Sequence, residues 1–430
     1  MKWLRELEFN FLYRLIRYTG IVGILRLLIG LISQKVVAVF LGAPGLAIIA
    51  NLRNFIEIIT SFSSVGAQNG VIVETAANRN KKLYRSFMNS TLTLMFVVSA
   101  IMFAILWWQI DWISSKLFFE HSHQSIVRAL SFTIPFMGLA VLIEAFLSGK
   151  KSFKVVANLQ LATNVFATII MIVLIYFYGL QGAIIAMLIR PMIGFGLYFS
   201  YFKSSTYNFS LLSHFSPEIS QLKTLLPYIL MTLISVGFVR AIEIWLRYFI
   251  TDKIDINAAG YWTAMNGISS NYFLFISYVF TLYVLPKFAE NNSSLSLFKE
   301  VKAILITLLP IVTTAMIGVY MFRVPIIKVL YTTDFVGITP LFKWQLGADW
   351  IRVIFLVFAY YLVANKLITK YFVVEFFSFV LYVVGSFYLV ELYGIEGVVM
   401  ANFARYVGCL SLIVILLIKK QSNLYGSAMD

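Results

Sequence analysis

Fifteen charged side chains stand inside stretches that are otherwise apolar enough to cross a bilayer. Ten are cations: Arg26, Lys35, Arg53, Arg128, Arg190, Arg240, Arg247, Lys343, Arg352 and Arg405. Five are acids: Glu57, Glu144, Glu243, Asp349 and Glu375. A central Arg or Lys facing lipid costs about 2.5 to 3.5 kcal/mol on an insertion scale, so most of the ten must line a wet interior. If each acid neutralises one base, about five positive charges remain, which suits an anionic ligand better than a cation or a neutral drug.

Spacing refines this inventory. Arg240, Glu243 and Arg247 stand at i, i+3 and i+7 and share one helical face; Gln345, Asp349 and Arg352 form a similar stripe. Arg53 and Glu57 are an i, i+4 pair. Arg26 and Lys35 lie on opposite sides of a straight helix, so only one faces a cavity unless Gly30 bends it. By depth, Lys35, Arg53 and Lys343 belong to the outer half of the bilayer and Arg26 to the inner half. The candidate anion-binding residues are therefore Arg26, Lys35, Arg53, Arg240, Arg247, Lys343 and Arg352. Asn51, Glu57, Glu243, Gln345, Asp349 and Glu375 are candidates for ion coupling or for polar lining. The competing reading is structural: Arg53/Glu57 and Asp349/Arg352 as pairs within a helix, Arg190 and Arg405 as packing elements. Arg128, Arg247, Glu144 and Glu375 lie near helix ends, where long side chains reach the interface.

The elements that position these residues are helices throughout. Of 430 residues, 60% are hydrophobic and 12% charged, far from the roughly 25% charge of soluble domains. Spans need about 20 apolar residues each. Twelve are predicted, at 18–41, 45–73, 87–108, 127–147, 155–177 and 183–202, then at 226–249, 258–285, 303–322, 340–363, 372–390 and 398–418. With the amino terminus inside, cytoplasmic segments hold twenty Lys and Arg, while the outer loops hold four, Lys116, Lys253, Arg323 and Lys328. That bias predicts both termini in the cytoplasm. Residues 1–17 read as a cytoplasmic amphipathic helix with no cleavable signal, and 111–119 as an interfacial turn.

The halves repeat. YGLQGAIIAMLIR (178–190) and YGIEGVVMANFAR (393–405) share Tyr, both Gly, Ala and Arg at one offset, which also aligns Gly45 with Gly260 and Asn51 with Asn266. Lys150/Lys154 and Lys366/Lys370 recur in the same order. The expectation is two parallel six-helix lobes, 18–202 and 226–418, joined by a cytoplasmic linker, 203–225, with a tail at 419–430. Transporters of this kind hold substrate near the midplane between lobes.

Other chemistry is absent from the pattern. Cys409 is alone, so no intrachain disulfide forms. His121 and His123 are two ligands on a loop, too few to indicate a metal. No phosphate-binding loop, HExxH or nucleophile elbow occurs, and the basic charge is shared between cytoplasmic segments and membrane helices, so its location argues for membrane orientation rather than a nucleic-acid surface.

Four stretches carry a resemblance: SQKVVAVFLGAPGLAIIANLRNFIEII (33–59), VGAQNGV (65–71), YVLPKF (283–288) and LFKWQLGADWIRV (341–353). They resemble the O-antigen and enterobacterial-common-antigen (lipid III) translocases, Wzx-type flippases of the multidrug/oligosaccharidyl-lipid/polysaccharide (MOP) exporter superfamily. The resemblance implies a MATE-like all-α polytopic fold in the bacterial inner membrane. It also implies outward translocation of an undecaprenyl-diphosphate-linked oligosaccharide. The mechanism expected for two such lobes is rocker-switch alternating access, with no cofactor beyond a coupling H⁺ or Na⁺ moving inward through Glu57 or Asp349. Lys35, Arg53, Gln345, Asp349 and Glu375 lie in stretches matching the family pattern; Arg352 stands where relatives carry Lys. A polysaccharide polymerase and a chain-length regulator are the implied protein partners. Three other readings compete. A multidrug or cation antiporter of the same superfamily would want an acidic interior. A polymerase or ligase acting on the lipid-linked substrate would want a large outer loop. A peptidoglycan-precursor flippase resembles a fourteen-helix version.

Overall fold

The computed structural model describes residues 2–77, 81–119, 124–204, 233–280, 297–365 and 367–426, with 226, 229, 284 and 288 in addition. His121, His123, most of the expected linker, most of YVLPKF and Lys366 lie outside the described residues. Those described are helical with short connections, and none is in a strand.

The first helix, α1 (Lys2–Ser63), is broken at Gly42, whose φ of 65° and ψ of −162° interrupt the helical path. Pro44 follows without a backbone N–H to offer the preceding turn. Gly30 causes no break, so α1 runs as continuous helix from Arg26 to Lys35. Next come α2 (Gln68–Ala76), α3 (Lys81–Trp108), α4 (Ile110–Phe118), α5 (Gln124–Gly149) and α6 (Phe153–Ser204). Like α1, α6 is two helices, here divided at Gly179. A π turn (Leu233–Phe238) leads into α7 (Val239–Lys253), followed by α8 (Ile256–Val279), α9 (Leu297–Met321) and α10 (Arg323–Leu330). After a 3-10 turn (Thr333–Ile338) come α11 (Leu341–Ala364), α12 (Ile368–Tyr393) and α13 (Ile395–Gly426).

Among the described residues eight helices are long and apolar enough to span a bilayer. Breaks in α1 and α6 turn two of the eight into four membrane-length pieces. The π turn with α7, and α8, stand where the seventh and eighth spans are expected; Arg240, Glu243 and Arg247 lower the apolar character of the former. The protein is thus an all-α multi-pass membrane protein.

The second expected span, 45–73, is corrected. Its helix stops at Ser63, and a short helix, α2, resumes at Gln68. Val65 (φ 57°) and Gly66 (φ 57°) close it. Val65 N–H donates to the Phe62 carbonyl (2.8 Å) and Gly66 N–H to the Ser61 carbonyl (2.9 Å), a Schellman ending with a β-branched residue at its left-handed position. Such a residue rarely adopts positive φ. Val65 is also 4% exposed and packs in a core with Phe87, Met95, Leu142, Phe146 and Tyr198, and that burial holds it there.

The repeated Tyr-Gly-x-x-Gly has a backbone explanation. Gly179 (φ 55°, ψ −132°) and Gly394 (φ 57°, ψ −138°) adopt one conformation, which breaks α6 and separates α12 from α13. Three residues on, a Cβ at Gly182 would sit 1.9 Å from the Leu174 carbonyl oxygen, and one at Gly397 would sit 2.1 Å from that of Leu389. Both glycines of the motif are therefore steric requirements, met identically at each site.

Contacts divide the chain into two units, Met1–Tyr248 and Phe249–Asp430. Most of α7 groups with the first, for reasons its polar face makes plain below. In the second unit the core is built from Ile304, Val353, Val357, Tyr361, Cys409 and Ile413, all buried.

Candidate anion-binding site

In the first unit the polar face of α7 meets the second half of α1. Arg240 Nε donates to Glu57 Oε2 at 2.6 Å, and Arg240 Nη1 reaches Glu243 Oε2 at 3.3 Å. Glu243 also accepts from Asn54 Nδ2 at 2.7 Å and faces Arg247 Nη2 at 3.8 Å. Arg247, 2% exposed, donates to Asn51 Oδ1 (3.4 Å) and to the Glu243 carbonyl (3.2 Å). Asn51 in turn donates to the Leu117 carbonyl at the end of α4 (3.3 Å), and Lys116 of α4 lies 3.5 Å over the ring of Tyr248. The i, i+3, i+7 stripe thus faces α1 as a unit, one buried polar seam with α4 pinned to its rim.

The expected intrahelical pair Arg53/Glu57 does not form. The Glu57 carboxylate is taken by Arg240 at contact distance, which leaves Arg53 half-buried with neither hydrogen bond nor ion pair among the described residues. Its charge is felt by Glu243 and by Arg190. Arg190 donates to Asn164 Oδ1 (2.9 Å) and is within electrostatic reach of Arg26 and Glu57 as well. Arg26 is exposed and donates to Gln160 Oε1 (2.5 Å); Gln160 and Tyr198 both donate to Glu144, each at 2.8 Å. Lys35 is half-buried on α1. Around α1, Arg26, Arg53, Arg190, Arg240 and Arg247 outnumber Glu57, Glu144 and Glu243, an excess of about two positive charges before Lys35 is counted.

The second unit holds its own polar centre. Asp349 is fully buried on α11. Its Oδ2 accepts from Ser269 Oγ (2.6 Å) and the Tyr272 hydroxyl, both on α8, and from Gln345 Nε2 (3.1 Å) one turn away. Among the described residues its Oδ1 has no hydrogen-bond partner, and the nearest cation is Arg352 Nη1 at 4.0 Å. Arg352 is flanked by rings, with its guanidinium 4.0 Å from the centre of Phe273 and 5.8 Å from that of Tyr406. Arg405 lies 4.4 Å from the centres of both Tyr406 and Tyr382. Glu375, hydrogen-bonded to Tyr371, interacts electrostatically with Arg405 and Arg352. Lys343 stands apart, paired with Glu396 at 3.1 Å and half exposed.

The structure therefore brings Asn51, Arg53, Glu57, Arg240, Glu243 and Arg247 into one cluster, and Gln345, Asp349, Arg352 and Glu375 into another. Asn54, Ser269, Tyr272 and Tyr406 belong to these clusters and escape a reading of charge alone. Asn54 was within reach, because it lies one turn from Glu57 and beside Arg53. The α8 hydroxyls gave no local signal. Among the described residues no group of three metal-binding side chains occurs.

Comparison with known proteins follows the same lines. A family model described as a polysaccharide biosynthesis protein matches residues 36–340. The chain is 26% identical over 398 residues to the lipid III flippase of Escherichia coli (strain K12), spanning 89% of this chain and 92% of that one, and equally so to the lipid III flippase of Shigella flexneri. Among solved structures it is similar to the lipid II flippase MurJ in an inward closed conformation (TM-score 0.72, 16% identity, 93% of this chain and 87% of that chain). An inward-facing multidrug resistance MATE family transporter of the MOP superfamily matches with TM-score 0.71 and 14% identity, over 92% and 96%. The fold is thus the MATE-like fold that these solved structures share. With its family model matched over well beyond half its length, the chain belongs to the polysaccharide biosynthesis protein family.

Proposed function

We propose that this protein is a flippase that carries an undecaprenyl-diphosphate-linked oligosaccharide, an O-antigen-type repeat unit, from the cytoplasmic to the periplasmic leaflet of a bacterial inner membrane. The observation that carries the reading is Arg53, a half-buried guanidinium without an ion-pair partner among the described residues, set in a cluster where arginine exceeds carboxylate. A half-buried guanidinium that attracts Glu243 without pairing to it is costly in a membrane interior, so it is retained for an anion that comes and goes. A diphosphate head group fits that demand, and the names of the curated relatives supply the class of lipid-linked cargo. Arg26, Lys35, Arg53, Arg240, Lys343 and Arg352 are the proposed phosphate- and sugar-facing residues, exposed alternately to the two sides of the membrane, while Arg247, 2% exposed, supports them from within the seam. A potential negative inside favours outward movement of an anion by about 2.3 kcal/mol per charge per 100 mV.

The test is complementation of a strain lacking its own repeat-unit translocase. Wild-type protein should restore surface polysaccharide, and Arg53→Ala should lower it about tenfold or more at equal membrane abundance, the factor that loss of a charged contact worth about 1.4 kcal/mol or more predicts. Full restoration by Arg53→Ala removes the basis of the assignment. Resistance to cationic dyes without polysaccharide would favour a multidrug exporter instead.

A further inference from the structure

The two clusters treat their carboxylates differently. Glu57 is in contact with Arg240 at 2.6 Å, and Glu243 sits between Arg240 and Arg247 with Asn54 as a further donor, so both are held as permanent counter-ions. Asp349 is fully buried and, among the described residues, has three donors crowded on Oδ2, while Oδ1 has none and meets its guanidinium only at 4.0 Å. Burial opposes its charge, the donors and Arg352 favour it, and the free lone pairs of Oδ1 are where a proton would be received.

We infer that Asp349 is a proton-operated counter-ion: ionised, it neutralises Arg352; protonated on Oδ1, it releases Arg352 to bind a phosphate oxygen of the cargo. This rests on the flippase reading and names a residue at which uptake of a proton accompanies binding of the cargo. Arg352 survives the loss of its counter-ion because Phe273 and Tyr406 hold the guanidinium by cation–π contact, and its side chain is 34% exposed and so open to a ligand. No covalent change is involved: one proton from water adds to Oδ1 as an anion reaches Arg352, and leaves when the anion departs. A sodium ion fits poorly there. Hydroxyl and amide groups already donate into Oδ2, and a guanidinium faces Oδ1.

Other titratable groups around α11 are accounted for. From α8 the facing group is Tyr272, and from α13 Tyr406 and, behind its ring, Arg405. From α12 it is Glu375 with Tyr371. α9 meets α11 through Thr313, which accepts from Trp350 Nε1 at 3.0 Å. Glu300 and Lys302 lie about 17 to 20 Å farther along α9. Glu375 is the competing proton acceptor.

The experiment measures binding of methanedisulfonate, a diphosphate surrogate whose two sulfonates stay ionised across the pH range, to the full-length protein in detergent. Wild-type affinity should rise about tenfold from mildly alkaline to mildly acidic buffer, within the usual size of a coupling between two sites. Asp349→Asn should bind at alkaline pH as tightly as the acidic wild type, with no pH dependence, and Arg352→Gln should lose the pH-dependent component. By reciprocity the wild type takes up a proton on binding, and Asp349→Asn does not. Infrared difference spectra of wild-type protein give a readout needing no variant: a carboxylic acid C=O band should appear on ligand addition. PH dependence that persists in Asp349→Asn, disappears in Glu375→Gln, or comes without that band overturns the inference. Failure of wild-type proteoliposomes to move a labelled polyprenyl-diphosphate oligosaccharide would instead overturn the flippase reading.

Discussion

Arg247 and Arg240 lie on one helical face and interact with the same Glu243, yet burial gives them different roles. Arg247 is 2% exposed and donates to Asn51 and the Glu243 carbonyl; removing the charge of Glu243 takes away the carboxylate that faces this dry guanidinium. Glu243→Gln should therefore cost about 3 kcal/mol or more, seen as a lower thermal midpoint in detergent, while removing both charges with Glu243→Leu and Arg247→Met should recover part of the loss. The Arg240–Glu57 pair is 35% and 40% exposed, so Glu57→Gln should change stability by less than about 1 kcal/mol. Equal losses in the two single variants would show that burial does not separate them. The residue types and their faces were legible in the sequence at this scale. Their partners were not: Arg53 is one turn from Glu57, but a guanidinium from another helix reaches that carboxylate first.

At the scale of elements, glycine spacing decides where helices end. Gly182→Ala and Gly397→Ala each drive a methyl group to within 2.1 Å of a carbonyl oxygen, so the break must open. Loss of folded protein in detergent-solubilised membranes is the expected outcome, with a cost above about 1 kcal/mol per site. Gly196→Ala is the control: helical, with nothing near its Cβ, it should be neutral or stabilising by about 0.5 to 1 kcal/mol. If Gly182→Ala and Gly196→Ala melt alike, the steric account of the repeat fails. The Tyr-Gly-x-x-Gly repeat was visible as letters because the motif is local. The end of α1 at Ser63 was not, because Val65 takes left-handed geometry only when the surrounding core buries it.

For the molecule as a whole, the charge bias of the loops predicts orientation. In a Cys409→Ala background, Gln109→Cys should react with a membrane-impermeant maleimide in intact cells, and Lys150→Cys only after permeabilisation. The opposite pattern would invert the topology. Cys409 is buried, so its removal should leave little reactive background to begin with. The sequence by itself determined the membrane class, the approximate spans, the uneven distribution of positive charge and the inventory of intramembrane ions, since apolar length, helical period and loop composition are properties of neighbouring residues. Tertiary structure alone decided which ion meets which. Contact energy depends on distance and burial between helices remote in sequence: Arg240 takes Glu57, Ser269 and Tyr272 complete Asp349, and among the described residues Arg53 is left without a counter-ion of its own.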